Sequence, residues 1–142
     1  MNMRHIALAC AVILAGCANP NAKEPPPKPF AGTRWQFILQ APLPGEAPYV
    51  VFGEGHLEGF GGCNHFTAGY VEDSVGAGAI AVRRIEMPER RMCDATAQAA
   101  ETYLLDALKA VSSFAITADT LVMSGPGGTI RLHAVSAEDK YR

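Results

Sequence analysis

The side chains best equipped for chemistry in this chain are Cys63 and Cys93. His65 lies two residues beyond the first, and His56 seven residues before it. Cysteine and histidine together are soft ligands suited to zinc or copper. The spacing argues against such a site, because neither a C-x2-C nor an H-x3-H pair accompanies these residues. A free Cys63 thiolate beside His65, or beside a His133 brought near by the fold, would instead be a nucleophile. Two carboxylate pairs, Glu54 with Glu58 and Glu72 with Asp73, offer acid–base groups, but each falls in a hairpin-like segment where charged residues face water. No G-x-S-x-G, phosphate loop or H-E-x-x-H occurs. The residues therefore predict no enzyme, no resident metal and no cofactor, and the histidines read as exposed turn or strand-end residues.

The compartment decides between these readings of the cysteines. Arg4 and His5 precede a short apolar run, Ile6 to Leu14, which ends in Leu14-Ala15-Gly16-Cys17. A basic start, an apolar stretch too short to span a bilayer and small residues at a cleavage point make a secretory leader. The cysteine directly after the small pair resembles the lipobox of bacterial lipoproteins, in which that thiol is acylated and the chain is cut before it. Residues 1–16 are then the leader, and 126 of the 142 residues remain, enough for one domain with a real core. Several acyl chains on Cys17 would hold the chain on a membrane, each buried methylene adding about 0.8 kcal/mol. Ala18, where an Asp would tend to retain such a protein at the inner membrane, implies the outer membrane with the domain facing the periplasm. Cys10 leaves with the leader and Cys17 is acylated, so Cys63 and Cys93 are the pair left in an oxidising space. Such a pair reads first as a disulfide. Its closed loop would contribute roughly 3–4 kcal/mol in the chain-entropy model.

Charge narrows the partners. The mature part keeps all 14 acidic residues and 11 of the 12 basic ones, a net charge of −3. That balance lacks the basic footprint of a nucleic-acid binder. Arg83-Arg84 and Arg90-Arg91 read as solvated residues flanking a loop.

The elements that must position these residues follow from patterning. Ala18 to Phe30 carries four prolines among its last nine residues and little to bury, so residues 17–31 read as a polyproline-like tether; its 13 residues after Cys17 reach about 40 Å. The folded domain is expected over 32–135, with a frayed tail at 136–142. Strands are expected at Thr33–Leu39, Tyr49–Phe52, His56–Phe60, Gly69–Glu72, Ala79–Arg83, Ser113–Ala118, Thr120–Met123 and Thr129–His133. Gly53-Glu54-Gly55 and Gly125 to Gly128 mark hairpins, and Gly61 to Phe66 a tight glycine-rich turn. Asp94 to Val111 is the one strong helix, with Asp94 as N-cap. Its apolar stripe runs through Ala100, Tyr103 or Leu104, Ala107 or Leu108, and Val111, while Gln98, Glu101, Asp106 and Lys109 form the polar complement. Strands, one helix, then strands give an α+β fold, a curled mainly antiparallel sheet or small barrel with one packed helix. Its core is expected around Trp35, Phe37, Phe52, Phe66, Tyr103, Leu104, Leu108 and Leu121.

Several motifs then fall in a recognisable order. Gly32-Thr33-Arg34-Trp35, Gly61-Gly62-Cys63-Asn64-His65-Phe66 through Gly69-Tyr70, Arg91-Met92-Cys93, Glu101 to Leu108, Leu121-Val122-Met123 and Gly128 to Leu132 together resemble the META domain, the HslJ-like family of bacterial heat-shock lipoproteins. The resemblance spans nearly all of 32–134. The chain departs from the pattern at Arg90, where the family has Thr, at Ala68, and in lacking a Met before the helix Glu. The resemblance implies a small β-rich envelope domain linked to stress tolerance, with no catalytic set to carry over. Physically, Gly61 and Gly62 permit φ > 0, and Asn64 can bond the turn backbone, so the segment reads as a structural corner that Cys63 staples to Cys93 beside the helix cap.

The expected function is a non-catalytic binding or structural module on the outer membrane, with the membrane reached through acylated Cys17, an envelope protein as partner and no nucleic acid. The alternative is a pilotin-like or lipid-carrier chaperone, in which an apolar groove beside the helix holds a lipid or a partner's tail.

Overall fold

Alternation of inward and outward side chains builds the sheet. In β1 (Arg34–Phe37), Trp35 and Phe37 are buried; in β2 (Tyr49–Phe52), Val50 and Phe52 are. β3 (His56–Phe60) buries Leu57, and β4 (His65–Glu72) buries Phe66, Ala68 and Tyr70. β5 (Ile80–Glu86) leads through a short link into α1 (Ala95–Lys109). β6 (Ser113–Thr117), β7 (Thr120–Gly125) and β8 (Gly128–Val135) follow, the last two burying Leu121, Met123, Ile130 and Leu132. This computed structural model describes residues 23–72 and 78–136. The leader, Cys17 with the first part of the tether, Asp73 and the tail beyond Ser136 lie outside the described residues.

The eight strands form one sheet in the order β5-β4-β3-β2-β1-β8-β7-β6. Every neighbouring pair is antiparallel. The sheet curls until its edges touch at one end: Ala79 bridges Ser113, Ile80 N–H donates to Ser112 O at 3.1 Å, and Phe114 N–H donates to Gly78 O at 2.6 Å. α1 packs against β5 and β8. Its buried stripe is Ala97, Glu101, Leu104, Leu105 and Leu108. The fold is α+β, a curled antiparallel half-barrel with a single helix, as the patterning implies. No helix among the described residues is long and apolar enough to cross a membrane.

Three expectations shift. β4 begins at His65 rather than Gly69, because the glycine corner is complete by Asn64 and inward alternation resumes at Phe66. Tyr103, expected in the core, is 60 % exposed. The stripe passes through Leu104 and Leu105 instead, one residue and a large rotation away. The domain also begins before Gly32. Phe30 stacks on Phe52 and on Phe114, both at 4.2 Å between ring centroids, and meets Tyr70 edge-on at 5.9 Å. Lys28 N–H donates to Ala118 O at 2.7 Å, and Trp35 Nε1–H donates to Phe30 O at 3.0 Å. The last residues assigned to the tether thus belong to the packed domain.

Candidate functional site

The glycine corner and the start of α1 form one unit. Cys63 and Cys93 are joined in a disulfide, with their Cα atoms 5.9 Å apart. Asp94 follows directly and caps the helix, its Oδ1 accepting the Ala97 N–H at 2.9 Å. The bond takes both thiols, so neither is available as nucleophile or metal ligand.

The histidines do not gather around it. His56 is exposed at the start of β3, with Nδ1 3.2 Å from Glu54 O. His65 is exposed, and its Nδ1–H donates to Glu89 Oε1 at 2.8 Å while its N–H donates to the same oxygen at 3.2 Å. Arg91 approaches that carboxylate at 3.3 Å. The His65 ring hydrogen bond, then the His65 N–H, hold the Glu89 carboxyl below its usual range, and the Arg91 charge adds to this. Among the described residues no three His, Cys, Asp or Glu side chains converge in a way that could hold a metal ion.

Glu101 is the residue that patterning misplaced. Counted with the polar face of the helix, it is 7 % exposed and faces the corner. Its Oε2 accepts the N–H of Cys63 at 3.2 Å and of Asn64 at 2.5 Å, and its Oε1 accepts Asn64 Nδ2–H at 2.9 Å. Asn64 Oδ1 in turn accepts the Arg91 N–H at 2.6 Å. A carboxylate buried this deeply is tolerable because three N–H groups meet it. The approach requires Gly61: a Cβ there would lie 2.7 Å from Glu101 Cγ. Gly62 holds φ +112, a conformation open to glycine, and a Cβ there would strike Leu43 Cδ1 at 2.8 Å. The signal for Glu101 was present in its spacing, four residues after Ala97 and three before Leu104 on the buried stripe.

A groove of about 570 Å³ opens next to this corner, between α1, the chain that follows β1 and the start of β8. Its apolar lining includes Phe37, Leu39, Leu43, Leu104 and Ile130. Two further lining residues, Ile38 and Tyr103, are large and apolar yet 52 % and 60 % exposed. Gln40, Thr96, Thr129 and Arg131 supply polar groups. Leu43 connects the two sites, lining the groove while lying over the Gly62 corner. The arrangement offers no nucleophile–base pair; it offers an apolar receptacle beside a rigidly stapled helix.

The fold has counterparts among solved structures. The NMR structure of a protein from Burkholderia xenovorans matches with a TM-score of 0.60 at 16 % identity, over 82 % of this chain and 97 % of that one. A second NMR structure matches with a TM-score of 0.55 at 17 % identity, over 71 % and 87 % of the two chains. At these identities the likeness is one of fold. No curated protein matches the sequence. The model of the META domain family matches residues 28–138, beginning at the Lys28 whose N–H is bonded to Ala118, and the chain belongs to that family.

Proposed function

We propose that this META domain is a non-catalytic binding module, held on the periplasmic face of the outer membrane by an acylated Cys17 and supporting envelope stress tolerance. One observation carries the binding role: the groove beside α1 keeps Ile38 and Tyr103 in water while Phe37, Leu104 and Ile130, which line the same groove, are buried. Exposed large apolar residues gathered on one concavity are the usual mark of a contact site. The anchor is supported by the Leu14-to-Cys17 pattern. With Lys28 bound to the domain, a Cys17 anchor would have ten residues of chain, 18–27, between it and the domain, a reach of about 31 Å if extended as polyproline II.

A strain deprived of the protein tests this under heat or detergent challenge. Reintroduced native protein restores survival, while Cys17→Ala and Ile38→Asp chains, present at equal level, do not. Unimpaired survival of the deprived strain overturns the stress role. Full restoration by Ile38→Asp overturns the groove, and full restoration by Cys17→Ala overturns the anchor.

A further inference from the structure

We infer that the slot between Phe52 and Phe114 is a peptide-binding site for an aromatic ring presented by a proline-rich segment, and that the chain's own Phe30 fills it in cis. None of these residues lines the groove beside α1, so the inference stands or falls apart from the proposed function.

The slot has the shape of a flat ring. Phe30 stacks on Phe52 and on Phe114 at 4.2 Å each, with interplanar angles of 25° and 17°. Two rings stacked this closely on a third cannot share one of its faces, so Phe30 lies between them. Tyr70 closes the side, edge-on to Phe30. Contacts that do not involve Phe30 hold the walls. Phe52 is fully buried and meets Tyr70 edge-on at 5.4 Å, and the Tyr70 O–H donates to Gly53 O. Aromatic pairs in these geometries are favoured beyond the area they bury, so the slot prefers a ring to an aliphatic side chain.

The occupant is built as a ligand. It precedes the first strand; Lys28 and Pro29 are exposed and Phe30 is half-buried. Pro25, Pro26, Pro27 and Pro29 fix φ and lack an N–H, and the residue before a proline is held extended as well. Such a segment loses little entropy on docking, which is how aromatic-lined sites recognise proline-rich peptides. Lys28 carries the one N–H among residues 25–29, and it donates to Ala118 O at 2.7 Å. Phe30 O accepts the Trp35 Nε1–H at 3.0 Å. Both bonds use main-chain atoms of the segment, so a separate peptide of the same form can make them. In the intact chain the attached segment competes at an effective concentration on the order of millimolar, which shuts the slot to dilute peptide.

Titration calorimetry and thermal unfolding test this, with an amidated peptide of residues 24–30 and the full chain carrying Phe30→Ala. The peptide is expected to bind one to one and to raise Tm, while the native chain binds none at the same sub-millimolar concentration. A peptide carrying Phe30→Leu binds at least about tenfold more weakly. A peptide with its four prolines replaced by alanine binds several-fold more weakly. Phe30→Leu in the chain keeps an apolar filler in place and serves as a second host should the alanine chain fold poorly; it binds the native peptide less tightly than Phe30→Ala and more tightly than the native chain. No binding to either variant chain, or equal binding by the native chain, overturns the site. A leucine peptide that binds as well as the phenylalanine one overturns the aromatic specificity, and an alanine-substituted peptide that binds as well overturns the proline requirement.

Discussion

Glu101 shows how much one side chain can hold. Its carboxylate takes three N–H donors from the corner, and Gly61 leaves the space for it. Removing it strands those donors in a dry site, and a lost hydrogen bond to a charged group costs about 1.5–3 kcal/mol. Glu101→Ala is therefore expected to lower unfolding free energy by about 3 kcal/mol or more, read as a shift in urea midpoint. Glu89 acts on the surface and through pH. Its folded carboxyl is held below its unfolded value, first by the His65 ring, so its stabilising contribution is complete above the unfolded value, near pH 4.5, and is lost as pH falls through the lower folded one. The urea midpoint of the native chain should fall across that acid window, and Glu89→Gln should flatten the fall. Parallel curves for the two proteins would refute it. Neither role was visible from composition. Glu89 lies 24 residues from His65, and only the pairing of the strands brings them together.

At the scale of elements, α1 is fixed at one end by the cap and the disulfide and along its length by its apolar stripe. Asp94, Cys93 and Gln98 form a continuous clasp, with Gln98 Nε2–H donating to Cys93 O at 2.8 Å. Cysteine count, with the compartment expected from the leader pattern, made the Cys63–Cys93 bond readable beforehand, and the structure contains it. Replacing both cysteines by alanine is expected to cost roughly 3–4 kcal/mol, from the entropy of a loop spanning 30 residues of separation. Denaturant curves of oxidised, reduced and doubly substituted protein check this, the last two coinciding. The helix also shows where periodicity stops short. Tyr103 and Leu104 satisfy a three-four spacing equally well, and the choice between them is a matter of helix rotation against β5 and β8. That rotation buries Leu104 and leaves Tyr103 on the groove.

Over the whole molecule, the sheet closes through its two edge strands and through a residue outside any strand. Phe30 fills the space between Phe52, Phe114 and Tyr70, so the chain ahead of β1 joins β2, β4 and β6. Phe30→Ala is expected to cost about 2 kcal/mol, less than a fully buried phenylalanine because Phe30 is half-buried. It should also speed proteolysis of the segment ahead of Ala31, since Lys28 and Thr33 lose a fixed neighbour. Thermal unfolding and cleavage rates check the two effects; unchanged cleavage would mean that the backbone bond from Lys28 to Ala118 suffices.

The sequence by itself determined the strands, the helix with its cap, the glycine corner and the family, because each rests on neighbours a few residues apart: alternation, three-four spacing, turn chemistry and a cysteine pair with no rival. Tertiary structure alone decided that Glu101 is a buried clasp, that Tyr103 faces water, that Phe30 belongs to the core and that a groove opens beside the helix. These depend on the angle at which α1 lies across a curled sheet and on the strand register, set by packing between residues far apart in the chain.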